Sequence, residues 1–249
     1  MSEIEKLFSR SAATYAAVRP RYPAALYEAI LAVTPNRSLA WDCATGNGQA
    51  AVDLARHVDR VIATDASEEQ IAYAFPVPNV EYRVARAEAS GLPEQSVALT
   101  TVAQALHWLD HGRFYREVRR VTVPGGVFAA WCYGTASSGV AIGRLLREFQ
   151  DGLMGPYWDP RRHWVDEGYR TIPFPFPELP MPTFELRAEW SLSQLGRYLS
   201  SWSVVARYRQ MRGVDPVPLI LDRIVKHWGA PEETRAIVWP LSVRVGRVG

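Results

Sequence analysis

The sequence is short of several things, and each shortage narrows the field. Its 249 residues include two cysteines, Cys43 and Cys132, with no C-x-x-C spacing, so neither a disulfide framework nor a cysteine metal site is expected. No stretch approaches the roughly eighteen apolar residues of a membrane helix. The opening MSEIEKLFSRS carries charges where a secretory leader has its apolar core. Like charges never run to a block of about five or six, and the net charge is only +2. Internal repeats and low-complexity segments are absent. These shortages point to a cytoplasmic, reduced protein with no membrane and no nucleic-acid partner.

What is present is a large apolar fraction, 48% hydrophobic against 22% charged, enough for the core of one large domain over 1–249. Residues 1–36 show helical apolar spacing at Ile4, Leu7 and Phe8 and again at Leu26, Ile30 and Leu31, with Pro20 and Pro23 breaking the helix between. A periodic pattern then occupies 38–133. Strands are predicted at 38–43, 60–65, 80–85, 96–105 and 125–133, and helices at 49–58, 67–75 and 112–121. That alternation implies βαβ units, an α/β fold with a parallel sheet and helices on both faces. From 134 to 182 the pattern gives way to glycine, proline and aromatics, which suits a capping insertion. It resumes over 183–249, with helices across 193–212 and 217–228 and strands at TFELRAEWS and 235–248. Pro240 in the last strand argues for a bulge or a less regular ladder.

The stretch DCATGNGQAA begins at Asp42 and carries strand, tight turn and helix start in ten letters. Gly46 to Ala51 matches the dinucleotide pattern G-x-G-x-x-G/A. Glycines there let the backbone take positive φ and let a ligand approach closely. Asp42 separates two readings. A pyrophosphate sits on a helix N-terminus because exposed amides attract negative charge, and a carboxylate beside that turn opposes it. A nucleoside bearing a sulfonium and an ammonium is favoured by the same carboxylate. Asp65, ending the second strand, stands where nucleoside-binding folds hold ribose hydroxyls; an N-cap for SEEQ is the other reading of it.

Four motifs in order, D42-x-A44-x-G46-x-G48, VIATDAS, ARAEASGLPEQSVALTTVAQALHWLD and VTVPGGVFAAW, resemble those of the class I S-adenosylmethionine-dependent methyltransferases. The chain looks most like the small-molecule branch of the type 11 and trans-aconitate methyltransferase-like enzymes. The resemblance covers about 38–135 well, and is visible at FSRSAATYAAVRPRYP, YLSSWSVVARYR and VWPLSVRVGRV. It implies a Rossmann-like doubly wound sheet of seven strands with one antiparallel strand, 235–248, and N-terminal lid helices. It also implies S-adenosylmethionine as cofactor, S-adenosylhomocysteine as product and a small-molecule acceptor methylated on oxygen, nitrogen or a carboxylate.

Carried onto this chain, the resemblance puts Asp42, Ala44, Gly46 and Gly48 at the methionine end of the cofactor and Asp65 with Ala66 at the ribose. Ala87 and Glu88 fall beside the adenine, and Gln104 beside the donor sulfur. Two departures stand out. Ala44 replaces a usual glycine, so a turn with negative φ is expected there. Arg86, which cannot accept a hydrogen bond, stands where relatives often have an aspartate facing the adenine amino group.

His107 is the candidate catalytic group, positioned to orient or deprotonate an acceptor; hydrogen bonding to backbone at a helix start is its other reading. Trp108 is expected to pack. The N-terminal segment acts as a lid in such enzymes, so Tyr15, Arg19 or Tyr22 would meet the cofactor carboxylate or the acceptor. Trp158 and Trp202 are expected to roof the acceptor pocket. Two rival readings remain, a nicotinamide-dependent oxidoreductase and a cofactor-binding protein without turnover. In the expected topology Cys43 and Cys132 lie two strands apart, about 10 Å. That exceeds the roughly 7 Å reach of a disulfide, so two free thiols are predicted.

Overall fold

The computed structural model describes residues 19–249. Tyr15 and the apolar positions Ile4, Leu7 and Phe8 lie outside the described residues. Seven strands form one sheet in the order β3-β2-β1-β4-β5-β7-β6: β1 Leu39–Cys43, β2 Arg60–Asp65, β3 Val80–Val84, β4 Val97–Ala103, β5 Thr122–Tyr133, β6 Phe184–Trp190 and β7 Arg235–Val248. Only β7 runs antiparallel to its neighbours, as expected of 235–248. The chain has the doubly wound Rossmann-like α/β fold.

The central strands are apolar at nearly every position because both faces of the sheet are covered. Successive side chains point to opposite faces, so the apolar residues divide into two clusters. Ala40, Ala63, Leu99, Val127, Ala129 and Trp131 join one; Trp41, Ile62, Val102, Phe128, Ala130 and Cys132 join the other. The first cluster is closed by helix α1, Ala24–Ala32, through Leu26, Tyr27, Ile30 and Leu31, and by Leu195, Leu199, Val205 and Ile220 from the C-terminal helices. The second is closed by Phe114, Tyr115, Val118 and Val121 of the helix His111–Val121.

Local chemistry fixes the helix starts. Ser67 caps the helix Glu68–Ala72 by accepting the Gln70 amide at 3.3 Å, with Glu68 and Glu69 favourably placed in its first turn. Asp110 caps the helix His111–Val121 by accepting the Arg113 amide at 3.1 Å. The 193–212 region divides into Leu192–Ser200 and Ser203–Arg212, the first with a full capping box between Ser191 and Gln194.

The segment 134–182 is more regular than its glycine- and proline-rich composition suggests. It contains the helix Gly139–Arg147, a wider turn over Glu148–Leu153 and a short helix Arg162–Asp166. Ile142, Leu145 and Leu146 give the first of these a buried face, but two glycines in nine residues hide it from a propensity reading. Its proline-rich tail packs along the sheet, with Phe174 and Phe176 against Phe128 at 5.4 and 5.5 Å. Pro240 makes no bulge, but the ladder to β5 is interrupted there, the less regular ladder that is the other expectation. β7 pairs with β5 from Leu241 onward and with β6 before it, without a register shift, and Pro240 stands one residue past the β5 ladder.

Both cysteines are buried and free, with β4 between their strands. We expect Ellman's reagent to find no reactive thiol in the native protein and two after denaturation without reductant.

Candidate functional site

The carboxyl ends of β1, β2, β4 and β5 open into a cavity of about 410 Å³. Its floor is the turn after β1. Ala44 takes φ +54°, Gly46 +58° and Gly48 +90°, so the expectation of negative φ at Ala44 is wrong. A left-handed alanine costs roughly 1–2 kcal/mol and persists only where its surroundings over-determine it. Here the Thr45 amide donates to the Thr64 carbonyl at 2.9 Å. The Thr45 hydroxyl donates to Asp42 at 2.5 Å, and the Gly46 amide donates to Asp65 at 2.8 Å.

The two acids divide the work. Asp42 is fully buried and is not on the cavity wall, contrary to its expected place at the methionine end. It accepts from Thr45 and, at 2.7 Å, from the Thr101 hydroxyl of β4. Burial pushes its carboxyl up to about 6 despite those two bonds. Asp65 is on the wall. Its other oxygen accepts the Ser67 amide at 2.9 Å, so it supports the next helix start while Ser67 itself is the cap.

The remaining assigned residues fall into two groups. Ala44, Gly46, Ala66, Ala87, Glu88, Gln104 and Tyr22 all border the cavity. Gln104, at φ +56°, is clamped to the end of β5: its amide nitrogen donates to the Tyr133 carbonyl at 3.2 Å and its oxygen accepts the Tyr133 amide at 2.8 Å. Glu88 accepts the Asp110 amide at 3.3 Å and lies 3.5 Å from Arg86. Gly48, by contrast, lies under the turn. A Cβ there would meet the Tyr82 hydroxyl at 2.3 Å.

Four candidates are elsewhere. His107 is 5% exposed and off the wall; its Nδ1 lies 2.9 Å from the Tyr169 hydroxyl. Burial, then the Arg162 and Arg161 charges, lower its pKa to about 3. It is neutral at physiological pH, and its ring is bonded to Tyr169 rather than lining the cavity. Trp158 and Trp202 pack on each other at 5.9 Å, away from the cavity, and Trp158 donates to the Gln150 carbonyl at 3.1 Å. Arg19 lies behind the wall, donating to the Tyr133 hydroxyl at 3.1 Å with its guanidinium 5.2 Å from the Tyr198 ring centroid. The Gln49 side chain fastens the same segment by donating to the Pro20 carbonyl at 2.8 Å.

Among the residues that line the cavity without having been assigned to the site are three large side chains, Trp108, Tyr133 and Arg161. Tyr133 ends a strand at the carboxyl edge, as Asp65 does, and that rule alone would have found it. Arg161 had no signal in DPRRHW. Its guanidinium sits 4.6 Å from the Trp108 ring centroid and is held by Asp159 at 2.9 and 3.0 Å.

The wall tests what cofactor fits. A pyrophosphate needs the free amides of the turn, but the Gly46 amide is already bonded to a carboxylate. A phosphate-free nucleoside with cationic groups meets no such conflict. Among the described residues no acidic, histidine or cysteine cluster could hold a metal, and no helix is long and apolar enough to cross a membrane.

Fold and site together define a Rossmann-like α/β protein with a cavity at the carboxyl edge of its sheet. A methyltransferase domain model matches residues 41–130. A protein of Dictyostelium discoideum assigned to the methyltransferases is 32% identical over 229 residues, spanning 90% of this chain and 87% of that one. A structure from Anaeromyxobacter dehalogenans, assigned as a type II methyltransferase, superposes with a TM-score of 0.87 at 43% identity, covering 92% of this chain and 98% of that one. The chain belongs to the methyltransferase family. The cyclase SpnF shares the fold at a TM-score of 0.54 and 15% identity, covering 99% of this chain and 96% of its own, so the fold alone does not carry the reaction.

Two outcomes follow from the turn. Gly48→Ala should lower stability by about 3 kcal/mol, against about 1 kcal/mol for Gly91→Ala; Gly91 shares the positive φ but has open space around it. Urea denaturation of both variants checks the difference. Asp42 titrates higher in the folded state than the usual carboxylate. The stability it contributes is therefore complete below about pH 4 and lost as pH rises through about 6. Asp42→Asn should remove that dependence. Relative to wild type, the variant should gain on the order of 3 kcal/mol between pH 4 and pH 7.5, read from denaturation at both.

Proposed function

We propose that the protein transfers the methyl group of S-adenosylmethionine to a small-molecule acceptor by in-line displacement. The observation that carries this is Asp65, a carboxylate on the cavity wall that also occupies the Gly46 amide, which favours ribose hydroxyls and disfavours a pyrophosphate. When bound, S-adenosylmethionine supplies an electrophilic methyl on a sulfonium and is left as S-adenosylhomocysteine. In this reading Asp65 and Ala66 hold the ribose, the Ala44–Gly46 turn and Gln104 border the amino-acid end, and Ala87 and Glu88 border the base. Asp42 acts on the cofactor by shaping the turn.

Tyr22, Tyr133, Trp108 and Arg161 complete the wall and are our candidates for contact with the acceptor. Their task is alignment, since displacement at a methyl carbon is governed by holding donor and acceptor close and in line. His107 is not the base, because its ring is committed to Tyr169 and a group with its pKa near 3 is too weak a base at neutral pH. A concave cavity of about 410 Å³ favours a small molecule over nucleic acid or a membrane surface as acceptor. Two buried free thiols fit a reducing compartment such as the cytoplasm.

Calorimetry with S-adenosylhomocysteine and with NADH tests the reading. We expect binding of the first and none of the second; tight NADH binding alone would establish the oxidoreductase reading instead. Asp65→Ala should weaken S-adenosylhomocysteine by about a hundredfold, the scale of one or two charged hydrogen bonds. Cofactor binding without label transfer from methyl-labelled donor to any of a broad acceptor panel would favour a binding protein.

A further inference from the structure

The helix His111–Val121 carries four arginines and a single acid, Glu117. That acid is 8% exposed and makes no contact with the cavity. One of its oxygens accepts three hydrogen bonds: from the Ser90 amide at 2.9 Å, the Ser90 hydroxyl at 2.5 Å and Arg120 Nη2 at 2.7 Å. The other accepts Arg120 Nε at 2.8 Å. Burial opposes the charge on Glu117, but the Arg120 and Ser90 bonds outweigh it and hold the carboxyl at about 2.

Ser90, 2% exposed, sits in the loop that follows β3. The same loop supplies Ala85, Arg86, Ala87 and Glu88 to the cavity wall. Arg120 fastens its far end by donating to the Leu92 carbonyl at 2.8 Å, and the Leu92 amide donates to the Ser90 hydroxyl at 3.2 Å. At its near end, Glu88 accepts the Asp110 amide at the start of the helix. The loop lacks a regular ladder of its own apart from one Arg86–Ala89 bridge. Its shape is therefore set by the helix, with Glu117 at the centre.

We propose that Glu117 is a positioning residue for base recognition: through Ser90 and Arg120 it fixes the loop whose Ala87 and Glu88 border the purine. This rests on the methyltransferase reading. A buried carboxylate saturated with loop and helix donors holds the loop in one conformation, so the entropy of ordering the wall is met on folding and not on binding. Loss of that constraint leaves the loop to be ordered by the ligand, and the contacts that tell one purine from another blur first.

The test uses the full chain and two ligands that differ only at the base, S-adenosylhomocysteine and S-inosylhomocysteine, which has an oxo group in place of the amino group. Calorimetry is run on wild type, Glu117→Gln and the milder Ser90→Ala, with melting curves to confirm folding. If Glu117→Gln does not fold, Ser90→Ala carries the comparison. We expect wild type to prefer the adenine ligand. Each variant should lose on the order of tenfold in affinity for it, the scale of one charged hydrogen bond, and the preference between the two ligands should narrow. Unchanged affinity, or an equal loss for both ligands, overturns the proposal, since a residue that only stabilises the fold does not move the ratio. Failure of wild type to bind either ligand would overturn the functional reading itself, and this proposal with it.

Discussion

The site depends on two carboxylates that hold a left-handed turn. Asp42 is the last residue but one of β1 and Asp65 the last of the adjacent parallel β2, with Asp42 paired to Ala63 and Cys43 to Thr64 across the ladder. That register brings both acids to one edge on either side of the Ala44–Gly48 turn. One binds its threonine hydroxyl, the other its glycine amide. Positive φ at Ala44, Gly46 and Gly48 is a local cost that these bonds offset, and the turn becomes a fixed floor before any ligand arrives.

The rest of the fold keeps that floor rigid and dry. The sheet is buried on both faces, and the split of its side chains into two apolar clusters commits the strands to one register, because a slip of one residue would exchange the faces. Two segments outside the sheet reach the cavity rim. Arg19 and Pro20 are fastened to Tyr133 and Gln49, while the helix His111–Val121 grips the loop after β3 through Glu88, Ser90 and Leu92. Wall residues are in this way held by bonds made outside the cavity. This is the arrangement expected where catalysis is mostly a matter of alignment.

Much of the fold was legible because its strands and helices carry distinct periods. β1, β2, β4 and β5 announce themselves as short apolar runs, and Ser67 marks a helix start. The helix Gly139–Arg147 was not legible, since its glycines mask an apolar spacing that only packing reveals. In the site, Asp65, Ala66, Ala87, Glu88 and Gln104, which the resemblance assigns to the cofactor, border the cavity. His107 does not: it stands between the wall residues Ala105 and Trp108, but the direction of a side chain depends on the turn it sits in, and this one points to Tyr169.

By itself, the sequence determined the alternation of strands and helices, the glycine turn and the two acids beside it, since these follow from periodicity, chain order and the chemistry of single residues; seven strands with one antiparallel came from the resemblance to methyltransferases. The tertiary structure alone decided which acid faces the cavity, that Ala44 takes a left-handed conformation, that Trp158 and Trp202 belong to the core, and that Arg161 reaches the wall. Those facts arise from contacts between segments far apart in the chain. Such contacts leave no local pattern, because the free energy that fixes them comes from packing and burial rather than from the propensities of neighbouring residues.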